Sequence, residues 1–502
     1  MNQSLRVQAL RWIAWTTLGR FGEEGLRLGS RLVLARLLWP EAFGLFALAA
    51  VISGAFLLCA QLQMASAIIQ RPTVDRDLRA TAHWSLTLLG VAGGLAQLGL
   101  AGPVSALVGE PRLAPLLAVL CLHVVLQGIA ATPRAWLSRE LAFRQLAGAS
   151  MAAEGIATVA AVGAAVAGAG VYSLAVHMVL VGVSEVYLMW RLVPWRPHRH
   201  WRLDEFLALA RFGSPLLAKR GVDYLTGQGD RFLVGYLFGP TPLGYYALAL
   251  RLSSAVGDGV AVVFDRVAFP VFARTGGDLR RSRRGFLHAL RAQSLLITPV
   301  AAGLAVTAPV VVPLALGADW AGAVLFVQIL AVRALLSSLS VLPRAVLLAR
   351  GRQWRLLGLG LASLIVSGIC WTAAIPWGPA GIAAASGMAA GLLLPVALPL
   401  MRDDLPITLA EWGRALLPAG VGLIALAAGV AAGGWVAAAL GLAGTAAGTA
   451  LVVVAGGLAY LLPVLPLIAR EARFYRELFR EDGRGAEGTA TSSPTPGEAP
   501  SP

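Results

Sequence analysis

Long apolar stretches alternate with short polar breaks along almost the whole chain. A helix crosses the hydrocarbon of a membrane with about 20 residues. On that ruler the pattern predicts fourteen spans, near residues 12–38, 42–67, 82–107, 113–137, 147–168, 171–193, 206–238, 241–268, 286–315, 321–348, 354–376, 379–400, 414–432 and 441–468. The polar breaks have an order of their own. Arg71, Arg76 and Arg79 follow the second span, Arg139 and Arg144 the fourth, Arg191, Arg196, Arg199 and Arg202 the sixth, and Arg280, Arg281, Arg283 and Arg284 the eighth. Odd-numbered connections are short and nearly free of basic residues, with Arg112 the main exception. Arginine-rich loops stay on the cytoplasmic side, so the alternation supports the count and predicts that both termini are cytoplasmic.

The pattern is written twice. With the numbering shifted by 200, Arg20 falls on Arg220, Glu23 on Asp223, Gly29 on Gly229, Arg31 on Arg231, Pro40 on Pro240, Gly44 on Gly244, and Ala47-Leu48-Ala49 on Ala247-Leu248-Ala249. Pro133-Arg134-Ala135 returns as Pro343-Arg344-Ala345; an offset that grows along a copy is what loop insertions in a duplicated unit produce. Six spans make one copy, an even number, so both copies enter the membrane from the same side and the repeat is parallel. The expected fold is therefore an all-α polytopic membrane protein with two six-helix lobes around a central cavity. The lobes are residues 1–200 and 201–402, followed by a two-helix appendage at 403–469. Residues 470–502 begin with an amphipathic segment and end in a tail of Gly, Ser, Thr, Pro and Ala that cannot bury enough apolar surface to fold.

Charges interrupt this apolar plan at particular places. Arg20, Glu23, Glu24, Arg27 and Arg31 lie in the first span, with spacings of three, four and seven that put most of them on one helix face. Lys219, Arg220, Asp223, Asp230 and Arg231 lie in the seventh, and Arg251, Asp258, Asp265 and Arg266 in the eighth. A charge at bilayer depth costs about 2.5–3.5 kcal/mol on insertion scales, so these side chains face protein or water. Repeat symmetry then sets the first and seventh spans across a polar, wet cavity that is more positive than negative. Guanidinium groups match phosphate oxygens with a planar fork of donors. A pyrophosphate is the natural guest and a carboxylated sugar another. The same charges can instead pin helices together as ion pairs with no ligand, and for Arg31, Arg36, Arg231 and Arg266 snorkelling towards an interface is the simpler reading. His83, His123 and His177 read as satisfied structural residues; Glu154 and Glu185, and Gln61, Gln63 and Gln127, read as hydrogen-bonded helix contacts or as proton- and sugar-binding groups.

Composition agrees. Of 502 residues, 57% are hydrophobic and 13% charged, where a soluble domain is nearer half and a quarter. The net charge of +15 sits in the loops, where topology explains it without nucleic acid. Cys59, Cys121 and Cys370 are scattered through apolar spans, which excludes a disulfide framework and a cysteine zinc site. No Gly-x-x-x-x-Gly-Lys phosphate loop is present, so ATP hydrolysis by the chain itself is excluded, and no cofactor or metal is expected.

The run LARLLWPEAFGLFALA at residues 34–49 resembles the first-helix signature of bacterial polysaccharide flippases of the Wzx/WzxC type. So do AIIQR at 67–71, PRAWL at 133–137 with Arg139-Glu140-Leu141, and DRFLVG at 230–235. These flippases belong to the multidrug/oligosaccharidyl-lipid/polysaccharide exporter superfamily. The resemblance, over roughly residues 12–400, implies a two-lobed fold with rocker-switch alternating access. It implies a protein of a bacterial inner membrane that moves an undecaprenyl-pyrophosphate-linked oligosaccharide for surface polysaccharide synthesis; a cavity between two lobes of one chain needs no partner, so a monomer is expected. A polysaccharide polymerase and a chain-length regulator are candidate partners, alongside membrane lipids. By position it assigns cavity roles to Arg20, Arg27, Arg220 and Arg251. Gly227 stands where the first copy has Arg27, so the second wall leans on Lys219 and Arg220. Glu23, Glu24, Asp223, Asp230 and Asp258 are then cavity ion pairs or coupling groups. The alternatives are a cation-coupled small-molecule antiporter of the same superfamily and a membrane glycosyltransferase or polymerase. The last needs a sizeable external loop with acidic catalytic residues, and the predicted external loops are tiny.

Overall fold

The structure is a computed structural model that describes residues 22–255, 257, 279–442 and 445–488; these residues form helices and loops, with no strand among them. The helices, in order, are α1 (22–37), α2 (Pro40–Gln61), α3 (Met64–Gln70), α4 (Arg76–Val108), α5 (Leu113–Arg139), α6 (Phe143–Val166), α7 (Val171–Leu192), α8 (Leu203–Phe238), α9 (240–255), α10 (Leu279–Leu316), α11 (Ala323–Ser338), α12 (Val341–Ala349), α13 (Gln353–Ala374), α14 (Gly378–Met401), α15 (Leu409–Ala439) and α16 (Ala446–Gly488). Among the described residues, ten segments are long and apolar enough to cross a membrane. One of them, Trp354–Met401, holds two predicted spans joined by the single 3-10 turn Ile375–Trp377. The protein is a multi-pass, all-helical membrane protein.

Local chemistry sets the helix ends. Asp75 caps α4 by accepting a hydrogen bond from Leu78 N at 2.8 Å. Thr408 and Glu411 form a reciprocal capping box at the start of α15. Pro40 occupies the first turn of α2, where its missing N–H is no loss. Two predicted spans are each broken into two helices. The second divides at Leu62 and Gln63, both left-handed, with φ of 43° and 52°. The tenth divides between Ser338 and Val341, and Pro343 supplies the reason: without an N–H it cannot continue a helix from the preceding turn.

The helices form two compact units. One holds α1–α9, the end of α10 from Ala308, α11, α13 and α14 through Ala397. Within it the repeat becomes a physical contact. A Cβ on Gly44 would sit 1.7 Å from the carbonyl oxygen of Pro240, and a Cβ on Gly244 would sit 1.9 Å from that of Pro40. The two Pro-x-x-x-Gly turns thus press on one another reciprocally, as in a two-fold interface, and only glycine lets the backbones come so close. Tyr224 of α8 donates to the carbonyl of Val51 in α2, and Trp320 donates to Ala35 O at 2.8 Å. Arg36 turns its guanidinium onto the carbonyls of Leu314 and Ala315, both at 3.0 Å, which satisfies the last turn of α10.

The other unit holds α10 through Thr307, α12, α15 and α16. Its core joins Leu295, Ala419, Leu426, Tyr460 and Val464, and Tyr460 donates to Leu295 O at 2.7 Å. Buried Glu471 pairs with His288 at 2.6 Å and Arg291 at 3.1 Å. α16 runs on to Gly488, through the segment read as amphipathic; residues 489–502 lie outside the described residues.

Candidate functional site

A cavity of about 340 Å³ opens inside the first unit, lined by α1, α2, α5, α6, α7, α8 and α9. Helices of both sequence copies therefore contribute to one space. Its polar wall comprises Arg27, Ser30 and Arg31 from α1, His123 from α5, Glu154 from α6, His177 from α7, Gln228 and Arg231 from α8, and Arg251 from α9. Phe43, Phe46 and Val51 of α2 make an apolar wall. Four arginines face one glutamate, a lining charge of four minus one with the histidines neutral. Each copy supplies two of them. Arg31 and Arg231 are repeat mates, whereas Arg27 answers to Gly227 and Arg251 to Val51.

The arginines differ in what holds them. Arg27 pairs with Glu23 on the next turn of its own helix, and lies 3.9 Å from Glu24 and 3.5 Å from Glu154. Glu154 is almost fully buried and also lies 3.2 Å from His177 Nε2. Glu24 reaches Arg251 at 3.8 Å, so one carboxylate stands between arginines of the two copies. Arg31 and Arg231 are ion-paired with no carboxylate among the described residues. Arg231 Nη1 donates to the neutral Gln228 side chain at 2.6 Å, and its Nε is buried without a hydrogen-bond partner there. A guanidinium held this way among apolar helices is costly to bury and unusually ready to accept an anion.

The other sequence-predicted residues are placed as follows. Arg20 and Asp258 lie outside the described residues. Lys219 and Asp223 form an ion pair one turn apart on α8, away from the cavity lining. Arg220 is exposed and does not line the cavity. Asp230 is fully buried next to the cavity residue Arg231 but turns into a different network. Arg333 Nη1 reaches its carboxylate at 2.6 Å and Tyr246 donates to it at 2.7 Å; Ser386 sits at 3.4 Å, itself held by Trp371 at 2.9 Å. Sequence reasoning did not single out Arg333; its signal was a lone arginine inside the apolar tenth span. It likewise read Arg31 and Arg231 as interface residues, because a helix face shows spacing but not depth.

Residues 33–325 match the family described as polysaccharide biosynthesis protein. The chain belongs to that family. The matched segment contains Glu154, His177, Arg231 and Arg251 and begins just beyond Arg27 and Arg31. Among curated members of similar sequence, the lipopolysaccharide biosynthesis protein WzxC of Escherichia coli is 26% identical over 352 residues, 70% of this chain and 71% of its own length. The succinoglycan biosynthesis transport protein ExoT of Rhizobium meliloti is 25% identical over 62% of this chain and 63% of its own length. The teichuronic acid biosynthesis protein TuaB of Bacillus subtilis is 25% identical over 57% and 60%. The fold is that of solved transporters of low sequence identity. The lipid II flippase MurJ in an inward closed conformation aligns with a TM-score of 0.70 at 13% identity, over 92% of this chain and 99% of that one. An inward-facing multidrug MATE transporter aligns with a TM-score of 0.59 at 15% identity, over 76% and 94%.

Proposed function

We propose that this member of the polysaccharide biosynthesis family is a flippase, and that its cavity carries the pyrophosphate end of a lipid-linked oligosaccharide. The repeat unit passes from the cytoplasmic to the periplasmic leaflet of a bacterial inner membrane and is then built into surface polysaccharide. Both termini are cytoplasmic, and residues 1–200 and 201–402 act as the two lobes that alternate access. The observation that carries this reading is the pair Arg31 and Arg231. They are repeat mates on one cavity wall, ion-paired with no carboxylate among the described residues. Two such cations, one from each copy, suit a guest with two adjacent phosphates. They lower the crossing barrier by replacing the water that a phosphate loses in the membrane. No covalent step is needed. The cavity stands at the small end of ligand pockets, so it holds the diphosphate and adjoining sugar, while the lipid tail stays in the bilayer. Glu154, set between Arg27 and His177, balances the third arginine when the guest is absent.

The test is complementation of a strain lacking the gene. Arg31→Ala and Arg231→Ala each lower surface polymer, the double variant abolishes it, and lipid-linked repeat units accumulate on the cytoplasmic leaflet although the protein reaches the membrane at normal levels. Full polymer from the double variant would sink the assignment of these two residues. Intact polymer in the deletion strain, with altered drug tolerance, would sink the flippase reading itself.

A further inference from the structure

The connection between α7 and α8, which joins the two sequence copies, contains His198-Arg199-His200. We propose that Asp77, His198 and His200 form a binding site for a divalent transition-metal ion of the zinc class. Imidazole and carboxylate donors are what such ions take, and they exclude the softer ions that need thiolate. The donor atoms of the three residues all lie within 4.8 Å of one another, and His198 Nε2 is 2.9 Å from Asp77 Oδ1. Tetrahedral zinc with bonds of about 2.0–2.1 Å sets its donors about 3.3 Å apart, so small side-chain rotations close the set around one ion.

The backbone is already arranged for this. His200 N donates to His198 O at 2.9 Å, a three-residue turn that brings the two imidazoles to 5.7 Å between centroids. The turn is fastened to α4, the helix that carries Asp77. Trp84 Nε1 donates to His198 O at 2.9 Å, and Trp201 Nε1 donates to Ser85 Oγ at 3.0 Å. A second carboxylate stands on the same side: Glu205 Oε1 lies 3.5 Å from His200 Nε2, close enough to share an ion held there, and its Oε2 accepts from Thr81 at 2.6 Å. Without an ion, His200 Nε2 is buried with no hydrogen-bond partner among the described residues. Two neighbouring cations are turned to other groups: Arg196 to the carbonyls of Val193 and Trp195, and Arg202 to Asp204. Arg76 and Arg199 are exposed. A bound ion would clip the connection between the copies to the first turn of α4.

The experiment uses the full chain, purified in detergent without a polyhistidine tag, stripped with chelator and titrated with Zn²⁺ against a chromophoric competitor. One ion binds per chain. His198→Gln and His200→Gln each weaken binding by at least the roughly 10–100-fold that loss of an outer-shell partner costs, and the double variant does not take up stoichiometric metal. Zn²⁺ raises the thermal midpoint of the wild type and leaves that of the double variant unmoved. Asp77→Asn, which keeps both imidazoles, provides the same comparison if the double variant does not fold. Absence of stoichiometric uptake by the wild type overturns the proposal, since His198 and Asp77 are then a simple hydrogen-bonded pair. Uptake that is unchanged in the variants overturns it as well, because the ion then sits elsewhere.

Discussion

Asp230 and Arg333 meet where almost no water reaches. Asp230 is wholly buried and takes Arg333, Tyr246 and Ser386 around one carboxylate oxygen. Removing one member of a buried pair leaves the other charge uncompensated, at about 3–5 kcal/mol, whereas replacing both by apolar groups of similar volume is close to neutral. Asp230→Asn therefore lowers the thermal stability of the purified protein sharply, and Asp230→Leu combined with Arg333→Met recovers most of the loss. Tyr246→Phe costs about 1–3 kcal/mol through a buried acceptor left short of one donor. A Asp230→Asn protein as resistant to heat as the wild type would show that the pair does not hold α8 to α11. One position further on, Arg231 has the opposite character, a half-buried cation whose buried Nε has no partner among the described residues. Adjacent residues on one helix thus divide between holding the fold and facing the cavity.

At the scale of elements, the connection between α4 and α5 shows how a charge in an unexpected loop is accommodated. Arg112 lies 2.8 Å from Glu110 and 2.6 Å from Glu41, at the start of α2. Hydrogen bonding from Arg112 holds the Glu110 carboxyl below its ordinary range. A carboxylate depressed in the folded state stabilises it above the unfolded value, and that contribution is lost as pH falls through the lower, folded value. Arg112 is more than half exposed, so Arg112→Ala costs less than about 1 kcal/mol at neutral pH. Thermal midpoints of variant and wild type should converge as the pH drops below the carboxylate range. A gap of constant size down to acid pH would mean that Arg112 acts by packing and not by charge. The helices on either side of such loops were legible because a span needs about 20 apolar residues whatever surrounds it. The breaks at Leu62–Gln63 and before Val341 were not placed, since the few polar residues there, Gln61 and Gln63 in one and Ser337, Ser338 and Ser340 in the other, are ones a continuous span also tolerates, and Pro343 can kink a helix without dividing it.

At the scale of the whole molecule, the contact between Gly44 and Gly244 decides how the two copies meet in the first unit. Any side chain at either position drives into a proline carbonyl of the other copy. Gly44→Ala and Gly244→Ala each destabilise by about 1–3 kcal/mol or more, and the double variant loses less than the sum because both strain one contact. Gly434→Ala, with open space around its Cβ, is close to neutral. Thermal midpoints measure the stability, and surface polymer in a complemented deletion strain measures the transport. Wild-type values for Gly44→Ala would show that the copies can separate at this point without loss.

The sequence alone determined the class of molecule, most of the apolar stretches that become its long helices, and the internal repeat, because hydropathy, arginine-rich loops and the Pro-x-x-x-Gly turns are local or periodic signals. It also determined that the spans carry more positive charge than a lipid-facing helix tolerates. Which of those charges share a space was decided by the tertiary structure. Helical spacing puts Lys219, Arg220, Asp230 and Arg231 on one element, but only the packing of α1, α8 and α9 against α5–α7 turns Arg27, Arg31, Arg231 and Arg251 into a common cavity. The same packing gives Asp230 to Arg333, 103 residues away in the chain, whereas the spacing of one helical turn is enough to set Lys219 against Asp223. A charge in a sequence states a cost; the partner that meets the cost is chosen by which helix faces come together.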